Sequence, residues 1–255
     1  VGEDGNMKAM IDSVKMAPMC MSTKYWRNIL ISSSMRLLNA GFSGIYYDEL
    51  ASSGAEVCYA GNHEHQPGGG NYGLNACRQV MTEIHAAAKA AGHPNYFSCG
   101  EEACEYLIGV HDANFMFAST FTDNVPAYQA VYHDYSYSFS RAPGKWMDPY
   151  SGWYRNAYAN QTGDGAVEEL VTHSARNLSF GVNIGIVRRD LPAYSPEGAD
   201  IIRRLAQFYR ANRRYLLYGK MLTPPIVTNA IMQNVFWSAG AINRGQVPVI
   251  YTSLW

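Results

Sequence analysis

Charge is scarce in this sequence. Asp, Glu, Lys and Arg make up 16% of its 255 residues, they sum to a net charge of −1, and they form neither a basic run nor an acidic tail. The electrostatic footprint of a nucleic-acid binder is therefore missing. Long apolar runs are missing too: nowhere do about twenty apolar residues follow one another, the length that a membrane-spanning helix needs. Cysteine is sparse, with Cys20, Cys58, Cys77, Cys99 and Cys104, and no pair has metal-type or CxxC spacing; Cys99 and Cys104 merely flank the acids of SCGEEACE. The plain reading is small buried hydrophobes, with a disulfide between loops, Cys20 to Cys58 for example, left open. A GxSxG elbow is absent, which removes support for a serine hydrolase. The triple glycine Gly68–Gly70 lacks the GK[ST] ending of a phosphate loop.

What is present is a packed α/β pattern. Apolar residues make up 47% of the chain, and Tyr (19) and Trp (5) are plentiful, rings that suit a core or, on loops, stacking against sugars. A Ser22-Thr23 cap opens a helix to about Asn39, followed by a short buried strand at 44–48. Leu74, Cys77, Val80, Met81, Ile84 and Ala88 fall at helical spacing, ended by Gly92 and Pro94. Strands are expected at 95–99, 114–118, 128–135 and 182–187, a brief helix at 103–108, and longer helices at 166–179 and 196–216. The last helix opens on Ser195-Pro196. A loop rich in Gly, Pro, Trp and Tyr is expected over 136–165. Beyond Pro224-Pro225 the pattern turns to short strands. Alternation of strand and helix predicts parallel strands with ligands at their carboxyl ends.

The acids sit where that rule points. Asp48 ends the strand at 44–48 and a loop of more than twenty residues follows it, rich in Gly, Ser, His and Pro. Glu101 ends the next strand, so the two carboxylates are expected one strand spacing apart. Such pairs divide the acid and nucleophile roles in glycoside hydrolysis. Glu102 competes with Glu101, because strand register is open by one residue, and both acids equally suit the first turn of a short helix. His63 and His65 have an HxH ligand spacing that Asp48 could complete, but no third firm ligand is evident and no metal is assigned. Binding of a polar ligand is the favoured role for the two histidines. Asp134 is a further carboxylate near an expected strand end. Asp112 and Trp146 are weaker candidates, and Trp153 is placed to stack on a sugar. Asn160 and Asn177 fit the short glycosylation pattern, which by itself decides nothing.

With those residues identified, the chain resembles a group of bacterial glycoside-hydrolase-like (β/α)8 barrels. The stretches that carry the likeness are MCMSTKYW (19–26), GFSGIYYDEL (41–50), NHEHQPGGGNY (62–72) and GEEACEYL (100–107). It is more distantly similar to endo-α-N-acetylgalactosaminidase and α-amylase barrels, in which an Asp nucleophile ends the fourth strand and a Glu acid/base ends the fifth. The resemblance implies Asp48 as nucleophile and Glu101 as acid/base. The chain departs from the family pattern at Met21, where the pattern has Pro, and at Glu102, where it has Gly.

The resulting expectation is a retaining glycosidase acting on an α-linked oligo- or polysaccharide without a cofactor. His63, His65, Glu102, Asp134 and Trp153 would contact substrate. Residues 1–222 would form barrel strands four to eight, and 223–255 the start of a β-sandwich-like unit. Five strands cannot close an eight-stranded barrel, so the remaining strands would come from a segment of the same protein before Val1. The alternatives are a non-catalytic sugar-binding barrel and a metal-dependent hydrolase built on His63, His65 and Asp48. A secreted or periplasmic location follows only from where glycans are usually met.

Overall fold

The computed structural model describes residues 1–7, 17–50, 57–101, 104–116, 127–142, 167–222, 232–237 and 243–248. Two compact units divide the chain at Phe115/Met116. Both are α/β with parallel strands, and no described helix is long and apolar enough to cross a membrane.

The first unit opens with α1 (Lys24–Asn39). Thr23 caps it by accepting a hydrogen bond from the Trp26 amide at 3.4 Å, which satisfies one of the free N–H groups of the first turn. Strand β1 (Gly44–Tyr47) leads into the long loop and then α2 (Tyr72–Ala90). Strand β2 (Phe97–Glu101), a 3-10 turn at Glu105–Leu107 and β3 (Ala113–Phe115) complete the unit. The strands lie in the order β1-β2-β3, all parallel, with Gly44 opposite Phe97, Tyr47 opposite Gly100 and Glu101 opposite Phe115.

Strand alternation sorts the side chains onto two faces. Ile45 and Tyr47 join Val80, Met81 and Ile84 of α2 and Leu38 of α1 in one buried cluster. Each such aliphatic side chain is worth about 1.5–3 kcal/mol when fully buried. The Tyr47 hydroxyl, buried here, is satisfied by Ser34 Oγ at 2.8 Å and by the Tyr96 hydroxyl at 2.6 Å. The opposite face carries Tyr46, Asp48, Cys99, Glu101 and Phe115. Tyr46 and Phe115 meet there edge to face, with centroids 5.9 Å apart.

The second unit holds α3 (Ala127–Tyr132), β4 (Tyr137–Arg141), α4 (Val167–Ser179) and β5 (Asn183–Ile186). After these come α5 (Leu191–Tyr194) and α6 (Pro196–Leu216). β4 and β5 pair in parallel, and Ala142, Leu170 and Leu191 centre a smaller core. Ser195 caps α6, accepting from the Gly198 amide at 3.0 Å. Strands β6 (Met232–Trp237) and β7 (Asn243–Pro248) form an antiparallel pair.

One expected element is corrected. Residues 128–135 are not a strand: 127–132 form the short helix α3, in which Tyr128 and Tyr132, one turn apart, bring their rings to 5.2 Å. The strand comes later, inside the expected loop, as YSFSR at 137–141. Its inward residues are serines: Ser138 and Ser140 are buried, as is Ser136 just before the strand. Alternation in β4 is therefore real but not apolar.

Candidate active site

Asp48 and Glu101 follow directly from that register. Tyr47 lies opposite Gly100 in the parallel pair β1–β2, so the next residue on each strand, Asp48 and Glu101, emerges side by side at the carboxyl end. Both fall on the face away from the helices, two residues beyond Tyr46 and Cys99. Asp48 is exposed and Glu101 half-buried. The Tyr46 hydroxyl donates to Asp48 Oδ1 at 3.1 Å. The Glu49 amide donates to Glu101 Oε2 at 3.2 Å.

Glu49 makes that bond from an unusual backbone. Its φ of 60° is the one positive value among the described non-glycine residues, a conformation that costs about 1–2 kcal/mol for a side chain with Cβ. The turn thus takes on strain at the position that aims an amide at Glu101. Burial, then the negative charges of Asp48 and Glu49, push the Glu101 carboxyl up to about 7. Asp48 adds to this by hydrogen bonding the protonated form, while the Glu49 amide works the other way. Two acids so close do not both ionise easily, and the result is a carboxyl that still holds its proton in a large fraction of molecules near neutrality.

Gly100, between the strands' ends and the core, has a steric reason to be glycine. A Cβ there would lie 3.1 Å from Nε2 and 3.3 Å from Cδ2 of His111. The His111 ring is buried with neither nitrogen hydrogen-bonded, and burial pushes it down to about 4, so it is a neutral packing group. Asp112 has a structural role as well: its Oδ2 accepts from the Ser98 amide at 2.7 Å and the Ser98 hydroxyl at 3.1 Å, anchoring the start of β2.

His63 and His65 lie on the long loop, but their partners are cysteines. Nδ1 of His63 is 3.3 Å from Cys58 Sγ, and Nε2 of His65 is 3.3 Å from Cys20 Sγ. The donor atoms of all four residues lie within 4.8 Å of one another, a set that does not include Asp48. All five cysteines are free thiols, Cys20 and Cys58 included.

Asp134 belongs to the second unit and precedes β4, so it lies on the amino side of its strand. Its side chain is exposed, 3.6 Å from His133 Nε2. The strand-end argument for it fails because 128–135 is not a strand. Asn177 is fully buried, which leaves its amide inaccessible to a glycan. Glu102, Trp146, Trp153 and Asn160 lie outside the described residues. Sequence reasoning missed Tyr46, whose place two residues before Asp48 already puts it on the same face. It also missed the role of Glu49, for which a left-handed backbone gives no pattern; and it offered Cys20 and Cys58 as a disulfide, where the structure has them as free thiols beside the two histidines.

Residues 3–143, more than half of the chain, match the family described as a domain of unknown function, DUF6259. The chain belongs to that family. The DUF6259 stretch contains β1, β2 and β3, and with them Asp48, Glu101 and the four Cys and His residues. Over 234 residues the chain is also 26% identical to a protein of Bacteroides thetaiotaomicron provisionally named a glycoside hydrolase, an alignment that takes in 88% of this chain and 32% of that protein. The chain therefore spans about a third of that relative's length. No solved structure matches.

Proposed function

We propose that the DUF6259 chain carries the carboxylate pair of a glycoside hydrolase, with Asp48 as nucleophile and Glu101 as acid/base. The observation that carries this reading is the placement of the two acids side by side at the carboxyl ends of adjacent, in-register parallel strands. Neighbouring strands lie about 4.8 Å apart. Together with the hydrogen bond between Asp48 and Glu101, that close approach favours the retaining class, whose carboxyls stand roughly 5–5.5 Å apart, over the inverting class at roughly 6.5–9.5 Å. The protonated state of Glu101 near neutrality supports its role as the acid. The name of the Bacteroides relative favours the same chemistry.

In the first step Asp48 attacks the anomeric carbon while Glu101 donates its proton to the leaving oxygen. In the second, Glu101 takes a proton from water, which displaces Asp48 and restores both groups. Tyr46 holds Asp48 through its hydroxyl, and the exposed Tyr46 ring offers a surface beside the pair on which a sugar face can stack. The finer reading places these parallel strands in a (β/α)8 barrel and takes an α-linked glycan as the substrate.

The test uses purified protein and a panel of aryl α- and β-glycosides. Turnover is expected on an α-glycoside, with the product's anomeric configuration retained in proton NMR. Glu101→Ala should lose activity on poor leaving groups, keep it on dinitrophenyl glycosides, and yield a glycosyl azide when azide is added. Asp48→Asn should abolish turnover on every substrate. Full activity in Asp48→Asn would end the proposal, and an inverted product would overturn the assignment of Asp48 as nucleophile.

A further inference from the structure

The Cys/His cluster stands apart from the carboxylate pair and has the chemistry of a metal centre. Its ligands come from three places: Cys20 just before α1, Cys58 at the start of the described part of the long loop, and His63 and His65 farther along it. In a tetrahedral zinc site, with Zn–S about 2.3 Å and Zn–N about 2.0–2.1 Å, adjacent sulfur and nitrogen donors stand about 3.5 Å apart. The two sulfur–nitrogen contacts here are each 3.3 Å, so the donors already converge to nearly that separation.

The surroundings are built to hold them there. His65 Nδ1 lies 2.7 Å from the Gln66 carbonyl. That contact calls for a proton on Nδ1 and leaves the Nε2 lone pair toward Cys20, the arrangement that metal-bound histidines use to fix their tautomer. Tyr72 lies flat on the His65 ring, centroids 3.8 Å apart and planes 5° apart. Its hydroxyl accepts from the Cys58 amide at 2.7 Å and donates to the Cys58 carbonyl at 3.3 Å. Cys58 also pairs with Gly68 as an isolated antiparallel bridge, which Gly68 permits with its φ of +96°. Glu64, between the histidines, accepts from the Lys24 amide at 3.2 Å and approaches Arg27 at 3.7 Å, tying the loop to the start of α1.

We propose that Cys20, Cys58, His63 and His65 bind one zinc ion as a closed Cys2His2 structural site. Thiolate and imidazole donors in a tetrahedral S2N2 set select zinc over magnesium or calcium. Four protein ligands leave no open position for water or substrate, so the ion clamps the loop and takes no part in a reaction. Loading converts the two thiols to thiolates and releases their two protons to solvent. The site is independent of the glycosidase reading, and its test needs no turnover.

The full chain, produced in zinc-supplemented medium, should contain about one zinc per chain by mass-spectrometric metal analysis. Cys58→Ser should lose the metal. His65→Cys, which creates another established zinc ligand set, should keep it. Cobalt-loaded wild type should show the visible bands of tetrahedral Co(II) and a near-ultraviolet thiolate-to-cobalt band. If Cys58→Ser does not fold, wild-type stoichiometry and the cobalt spectrum decide. Zinc-free wild type after supplementation would overturn the proposal. So would a cobalt spectrum without the thiolate band, or a Cys20–Cys58 disulfide, seen as a chain lighter by two hydrogens.

Discussion

Replacing Asp48 by Asn should lower the pKa of Glu101. Asn is nearly isosteric and can still accept the Tyr46 hydroxyl, so the change removes the charge and weakens the hydrogen bond that favours protonated Glu101, both of which act in the same direction. In the native chain the Glu101 carboxyl rises from 4.5 to about 7, with burial the largest cause and Asp48 next. At 1.36 kcal/mol per pH unit, that displacement would correspond to about 3.4 kcal/mol in a fully buried site. Glu101 is only half-buried, and solvent screening reduces the penalty for ionising it to on the order of 1–2 kcal/mol. In Asp48→Asn the burial and the Glu49 charge persist, and so does the Glu49 amide that favours the ionised form. The pKa should therefore fall by on the order of one unit and stay above the ordinary glutamate value. Carbon-13 NMR of chain labelled at the glutamate δ-carbons reads this directly, with the Glu101 resonance assigned by its loss in Glu101→Gln. A wild-type midpoint near 4.5, or an unchanged midpoint in Asp48→Asn, would refute the argument that the two acids are coupled.

Stability should follow the same group. Folded Glu101 holds its proton between about pH 4.5 and 7, where the unfolded chain has released it, so its contribution is full below 4.5 and is lost as pH rises through 7. Glu101→Gln, which cannot ionise, should match wild type near pH 4 and exceed it by on the order of 1–2 kcal/mol at pH 8 in urea titrations; a constant difference across that range would count against the shift. Gly100→Ala should destabilise by about 1–3 kcal/mol, because its Cβ presses on the buried His111 ring; an unchanged urea midpoint would show that the ring gives way freely. Ser195→Ala should cost about 1 kcal/mol through loss of the α6 cap, while Ser195→Asp should restore most of it.

The elements legible in the sequence are those whose burial is apolar. Helix α2 could be read because Cys77, Val80, Met81, Ile84 and Ala88 repeat at 3.6-residue spacing and all five are fully buried. Caps at Thr23 and Ser195 were legible because a hydroxyl at a helix start has a local job. The stretch from 127 to 141 was not legible, for two separate reasons. A helix of six residues is too short to show a period, and β4 buries serines where a strand pattern looks for Val or Ile. Asp134 was misplaced as a consequence. The carboxylate pair was legible as a pair of strand ends, while the choice of Glu101 as its second member required the register that the β1–β2 pairing supplies.

The long loop after Asp48 shows why a local reading stops short of a site. Cys20 and Cys58 lie 38 positions apart, and an HxH follows the second of them after four residues; no spacing rule joins these pieces, because they converge only after α1 and α2 pack together. Tyr72, at the first turn of α2, then lies flat against His65 and holds both backbone groups of Cys58. The start of the loop is constrained from the other side by the left-handed Glu49, which links the strand end to Glu101. The described part of the loop is thus held by contacts to the starts of α1 and α2, while its root is held by contacts of its own. On this view the glycines set the path of the loop, and the cysteines and histidines limit its freedom. The acid pair itself is held at the strand ends, Asp48 by the Tyr46 hydroxyl and Glu101 by the Glu49 amide.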